Sequence, residues 1–242
     1  MRCEGGDPDT EELQLKLPEG LSLQRDEKGL FLTSEEGLQL RGDFSHLAAR
    51  LKHHNLSGEL VVKAAKIRGK DALKVLDATA GLGEDSFLLA GAGFQVELYE
   101  YDPVIAALLN DAVGRAVQDE SEEVRQAALR MALHEGDSIE AMRKIAAEAE
   151  ANGGASVRQP DVILLDPMFP ERKKSGLIKK KFQLLQQLEK PCDDEEALLS
   201  AAIAVHPSRI IIKRPLKGPF LAGRKPDYSL PGKAIRYDVI LL

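Results

Sequence analysis

The run Val162-Ile163-Leu164-Leu165, closed by Asp166-Pro167, constrains this chain more than any other stretch. Four bulky apolar residues in a row suit a strand covered on both faces, the condition of a parallel strand inside an α/β sheet. Proline fixes the turn that ends it. Ligands of open α/β sheets collect outside the carboxyl ends of the strands. Asp166, Pro167 and the aromatic Phe169 therefore stand where a ligand is expected.

The surrounding pattern agrees. From residue 73 onward strands and helices alternate, as a parallel sheet requires. Strands are expected at 73–76, 95–99, 131–134, 161–165 and 209–213, with a final edge strand over 234–242. Helices are expected after Gly83, from Pro103 through Leu109, and over 120–130, 139–151, 177–189 and 194–205. Ser138 is placed to cap the fourth of these, and Asp193 with Glu196 has capping-box spacing at the last. Residues 13–44 instead alternate apolar and polar between Gly-containing turns, which predicts a small antiparallel unit. Short helices over 46–51 and 59–66 lead out of it. The expected architecture is a β-rich subdomain and helical linker (1–66) followed by a Rossmann-like, mostly parallel α/β domain (67–242).

At 242 residues such an arrangement can bury a sizeable core. No apolar run is long enough to cross a bilayer, and residues 1–7 lack the apolar core of a signal peptide, so a cytoplasmic location is expected. Cys3 and Cys192 lie far apart and the five histidines show no ligand spacing, so neither disulfide nor metal is expected. The net charge of −6 argues against a generally basic nucleic-acid binder. The cations are nevertheless clustered: Arg172, Lys173, Lys174, Lys179, Lys180 and Lys181 follow the Asp-Pro motif, and Lys213 and Arg214 belong to a second basic stretch over 209–236. A basic face beside the site would contact phosphates, although charge runs are usually solvated surface.

The turn Asp77-Ala78-Thr79-Ala80-Gly81-Leu82-Gly83 is the second chemical signal, and its Asp77, Gly81 and Gly83 are candidates to meet a cofactor. The two glycines allow close approach of a ligand to the backbone and to a helix N-terminus. Ser86 stands where a dinucleotide fingerprint wants a third glycine. Glu84 and Asp85 at the helix start oppose a pyrophosphate but suit a ligand with a cationic or hydroxylated end, as in S-adenosylmethionine. Glu100 follows the turn by about twenty residues, where an acid typically holds a ribose hydroxyl. Asp137 and Ser138 can meet an adenine, or equally cap a helix. Asp166 can accept hydrogens from an exocyclic base amine, freeing its lone pair for attack on a methyl donor. Phe169 offers a plate for the base.

These strings together resemble the bacterial ribosomal RNA small subunit methyltransferase J family. The resemblance rests on Val75 to Gly83, on Asp166-Pro167-Met168-Phe169-Pro170 with Lys174-Ser175 and Lys179-Lys180, and on Ile210 to Lys213 with Arg214-Pro215. It spans roughly 43–238. It implies a class I methyltransferase fold and methylation of guanine N2 in 16S rRNA, free or within the 30S subunit, with S-adenosylmethionine as donor. By that resemblance Glu84, Asp85, Glu100, Tyr101, Asp137, Ser138 and Asp166 contact the cofactor. The family commonly has Arg where Glu84 and Tyr101 stand, and a glycine-rich basic segment where this chain has residues 52–59, which keep Gly58-Glu59 but lose the glycine run. Three rivals remain open: methylation of another amine, a non-catalytic RNA-binding factor, and a nicotinamide dehydrogenase. Asp166 and Met168 in place of Asn and Pro count against the first, the retained motifs against the second and Ser86 against the third.

Overall fold

The computed structural model describes residues 17–153, 159–167, 184, 188 and 194–242. Strands β1 (Leu21–Asp26), β2 (Gly29–Ser34) and β3 (Gln39–Leu40) form an antiparallel three-stranded sheet. A 3₁₀ turn (Ser45–Arg50) and the short helices α1 (His53–Leu56) and α2 (Leu60–Ala65) follow. The main sheet then begins with β4 (Lys74–Asp77), α3 (Glu84–Gly91), β5 (Gln95–Glu100), α4 (Pro103–Val117) and α5 (Glu122–Ala128). It continues through β6 (Met131–Glu135), α6 (Ser138–Ala151), β7 (Val162–Leu165), α7 (Glu195–Ala204), β8 (Arg209–Pro215), β9 (Tyr228–Pro231) and β10 (Ile235–Leu241).

The seven strands lie in the order β6-β5-β4-β7-β8-β10-β9. The first five are parallel, β10 runs antiparallel to β8, and β9 antiparallel to β10. The strand order reverses between β4 and β7, and that switch point opens a crevice at the carboxyl ends. β7 is buried at all four positions. Its side chains divide by the strand's twofold period: Val162 and Leu164 join α2 and α3 on one face, Ile163 and Leu165 join α6 and α7 on the other.

The 234–242 segment is not an edge strand. β10 pairs on both sides, and the edge is β9, which lacks the apolar alternation that marks a strand in sequence. Two helix caps are defined by aspartates. Asp137, not Ser138, accepts the first amides of α6, from Ile139 (2.7 Å) and Glu140 (3.3 Å). Asp194 caps α7 through Ala197 (2.7 Å), while Asp193 and the segment 177–183 lie outside the described residues.

The antiparallel sheet packs Leu30, Leu32 and Leu40 onto Val104 and Leu108 of α4. The backbone meets α4 so closely at Gly42 that a Cβ there would stand 2.8 Å from the Leu108 carbonyl oxygen. Arg25 bridges to Asp111 at 2.8 Å across the same seam. Residues Phe44 to Ala65 join the core of the main sheet, where Phe44 stacks on Phe87 at 4.3 Å.

Candidate active site

The carboxyl ends of β4, β5, β6 and β7 bring the predicted acids to one edge. β4 ends in Asp77, and the chain turns through Gly81 (φ 53°) into Gly83 (φ 76°), the N-cap of α3. At Gly83 both the left-handed backbone and the space demand glycine, since a Cβ would lie 2.7 Å from Leu109 Cδ1. The turn is tied to its neighbours: Ala78 N–H donates to the Leu164 carbonyl (3.0 Å) and Ala80 N–H to the Tyr99 carbonyl (3.0 Å).

Glu100, at the end of β5, is buried. Its carboxylate accepts from Gly81 N–H (2.8 Å) and Asp102 N–H (2.9 Å), so it clamps the glycine turn to the start of α4. Burial raises its pKa, and the two backbone donors oppose that rise. Asp77 is buried too, holding Ser86 Oγ at 2.6 Å and Thr79 N–H at 3.1 Å. Burial pushes its carboxyl up to about 7. It therefore supports the turn from beneath. Glu84 and Tyr101 are exposed at the rim, Tyr101 at 76%. Asp137 is exposed with one oxygen spent on its cap, and Ser138 beside it is buried.

Asp166 follows β7 directly. Its backbone N–H donates to Thr79 Oγ1 at 2.6 Å, which binds the two central strand ends together. Its side chain is 40% exposed, and Pro167 behind it is buried. Lys213 of β8 lies 2.9 Å from Asp166 Oδ2 and 3.0 Å from Asp85 Oδ2. Tyr237 of β10 donates its hydroxyl to the same Asp85 oxygen at 2.9 Å. Burial raises the pKa of Asp166, against the pull of the Lys213 ammonium. Burial opposes the charge of Lys213, yet Asp166 and Asp85 together hold its pKa well above the usual lysine range. The Tyr237 phenol is likewise raised, by burial first and then by Asp85.

The second basic stretch is divided: Lys217, Arg224, Lys225 and Lys233 are exposed, whereas Lys213 and Arg214 are engaged by acids. Arg214 is 1% exposed and turns inward, donating to the Pro219 carbonyl (2.8 Å) and to Glu195 (3.2 Å). Lys213 is held between two carboxylates. Their opposite fates follow from the strand period, which sends adjacent residues to opposite faces. Phe169, Arg172, Lys173, Lys174, Lys179, Lys180 and Lys181 lie outside the described residues. Thr79 and Tyr237 carry no signal of a role in the sequence. Only the strand order, with β10 beside β8, puts Tyr237 next to the glycine turn.

The side chains at this edge are mainly acidic: Asp85, Glu100, Asp137 and Asp166 share it with Lys213. Such a negative field fits a cationic, hydroxylated ligand and disfavours a pyrophosphate. No helix among the described residues is long and apolar enough to cross a membrane.

The chain matches the SAM-dependent methyltransferase family model (SAM_MT) over residues 9–242. It is 42% identical over 234 residues to the ribosomal RNA small subunit methyltransferase J of Pseudomonas fluorescens, which covers 91% of this chain and 85% of that protein. The protein of the same name from Pseudoalteromonas atlantica is 43% identical over 196 residues, 81% and 73% of the two chains. A solved SAM-dependent methyltransferase from Neisseria gonorrhoeae matches with a TM-score of 0.70 at 33% identity, covering 93% of this chain and 85% of that one.

Proposed function

The chain belongs to the ribosomal RNA small subunit methyltransferase J family of SAM-dependent methyltransferases, and from that premise we propose that it methylates the exocyclic N2 of a guanine in 16S rRNA. One observation carries the reading. Asp166 stands at the switch point with its backbone fixed by Thr79, its carboxylate steadied by Lys213, and 40% of its side chain open to a ligand.

Glu100 and the Gly81–Gly83 turn would hold the ribose and the amino-acid end of S-adenosylmethionine, with Asp137 and Ser138 near the adenine. When bound, that cofactor supplies a methyl group already activated by its sulfonium. The protein's share is to hold and orient the base. Asp166 accepts a hydrogen of the guanine amine, turns its lone pair out of conjugation with the ring and stabilises the positive charge that grows on nitrogen. Pro167 fixes the loop and Phe169 is assigned the stacking plate. The exposed cations Lys217, Arg224, Lys225 and Lys233, with the 172–181 run, are assigned to the RNA backbone.

The test is transfer of a tritiated methyl group from S-adenosylmethionine to 30S subunits lacking the modification, followed by nucleoside analysis. N2-methylguanosine at one site is the expected product. Cofactor binding without rRNA labelling would remove the target assignment and leave the methyltransferase fold.

A further inference from the structure

Lys213 is more than a counter-ion. An ammonium has three N–H donors. Asp166 and Asp85 stand 2.9 and 3.0 Å from it, two ion-pair partners among the described residues for three N–H groups. Lys213 stands 2.9 Å from Oδ2 of Asp166, and Oδ1 accepts no hydrogen bond from a described residue. Both side chains reach the surface, at 40% and 27% exposure. Moving round this carboxylate, a ligand therefore meets an acceptor, a second acceptor and then a donor.

That sequence complements only one RNA base. The Watson–Crick edge of guanine presents a donor at N2, a donor at N1 and an acceptor at O6. Adenine offers one donor and one acceptor; cytosine offers one donor before two acceptors; uracil offers a donor between two acceptors. We propose that Lys213 reads guanine O6 while Asp166 takes N1–H and N2–H, so that the pair selects guanine for methylation. Asp85, backed by the Tyr237 hydroxyl, holds the ammonium in place for this. An adenine in the same pose would leave the ammonium facing an amine and the carboxylate facing a ring nitrogen, both repulsive or unpaired.

This assignment rests on the guanine-N2 reading, and the test separates the two. Reconstituted 30S subunits carry guanine or 6-thioguanine, placed by ligation, at the methylated position. Sulfur keeps N1–H and the N2 amine but accepts hydrogen bonds weakly. The wild-type enzyme is expected to lose about tenfold in kcat/KM on the thio-substrate, one hydrogen bond to a charged group. Lys213→Met is expected to be at least about a hundredfold slower on guanine and indifferent to the sulfur. Lys213→Arg keeps a donor and is expected to retain the discrimination, which covers the case in which Lys213→Met fails to fold. A thio-effect of the same size in wild type and Lys213→Met, or none in wild type and Lys213→Arg, overturns the assignment of O6 to Lys213. Failure of the wild type to make N2-methylguanosine on the unsubstituted subunit sinks the underlying reading and this one together, and shows before any variant is made.

Discussion

Among the described residues, Asp166 is held by a backbone bond to Thr79 and an ion pair at a partly open position, so the carboxylate can be neutralised without opening the core. Asp166→Asn should lower kcat by about a hundredfold or more, the scale of a missing charge-stabilising group, while the melting temperature moves by no more than about 2 °C. Matched losses of turnover and stability would make the residue structural. Asp77 behaves differently because it is buried with its pKa pushed up to about 7. A folded-state pKa above the unfolded value means that the native protein binds the extra proton, so its contribution is full below about 4 and is lost as pH rises through about 7. Between pH 5 and 8 the wild type should therefore lose more stability than Asp77→Asn, whose amide keeps the contacts to Ser86 and Thr79 without a titrating proton. Equal slopes in thermal melts across that range would refute it. At this scale the sequence shows which residue types stand at strand ends, and the main acids are legible that way. It does not show which of two neighbours points inward. Lys213 and Arg214 look alike as letters, yet one faces the site and the other is locked against Glu195.

Elements position these residues through a few tight approaches. Gly83 caps α3 with φ 76° and no space for a Cβ. Gly83→Ala should cost about 1–3 kcal/mol in urea unfolding and weaken cofactor binding, because the first amides of α3 would shift. A variant of unchanged stability would mean that Leu109 moves aside freely. The antiparallel sheet is attached mainly by apolar packing on α4, and Leu32 is fully buried there. Leu32→Ala should destabilise the protein by about 2–5 kcal/mol in the same measurement. An effect below about 1 kcal/mol would show that this sheet contributes little to the fold. The parallel strands β4 to β8 are legible from sequence, to within a residue or two at their ends. β9 is not, because an edge strand with exposed or half-buried side chains carries no such signal. The place of β10 between β8 and β9 is equally hidden, since pairing partners depend on sheet order and not on local composition.

The whole molecule carries a net charge of −6, yet its proposed substrate is a polyanion. Methylation should therefore fall with added salt, with log kcat/KM linear in log salt concentration. Replacing Lys179, Lys180 and Lys181 by Gln should flatten that slope by about one unit for each phosphate that is no longer neutralised. An unchanged slope would exclude the run from the RNA interface. The basic face is smaller than the count of cations suggests, because Arg214 and Arg236 are buried among their own partners. Finally, the bond from Asp166 to Thr79 joins residues 87 positions apart, and the β4–β7 pairing on which it sits is of the same range. A long stretch of chain must be closed into a loop before the two central strands reward each other, which makes their meeting a slow event in folding. The helices can form early, but the crevice exists only once those strands have met. On dilution from denaturant, recovery of catalytic competence should trail the return of helical circular dichroism and keep time with the slowest refolding phase.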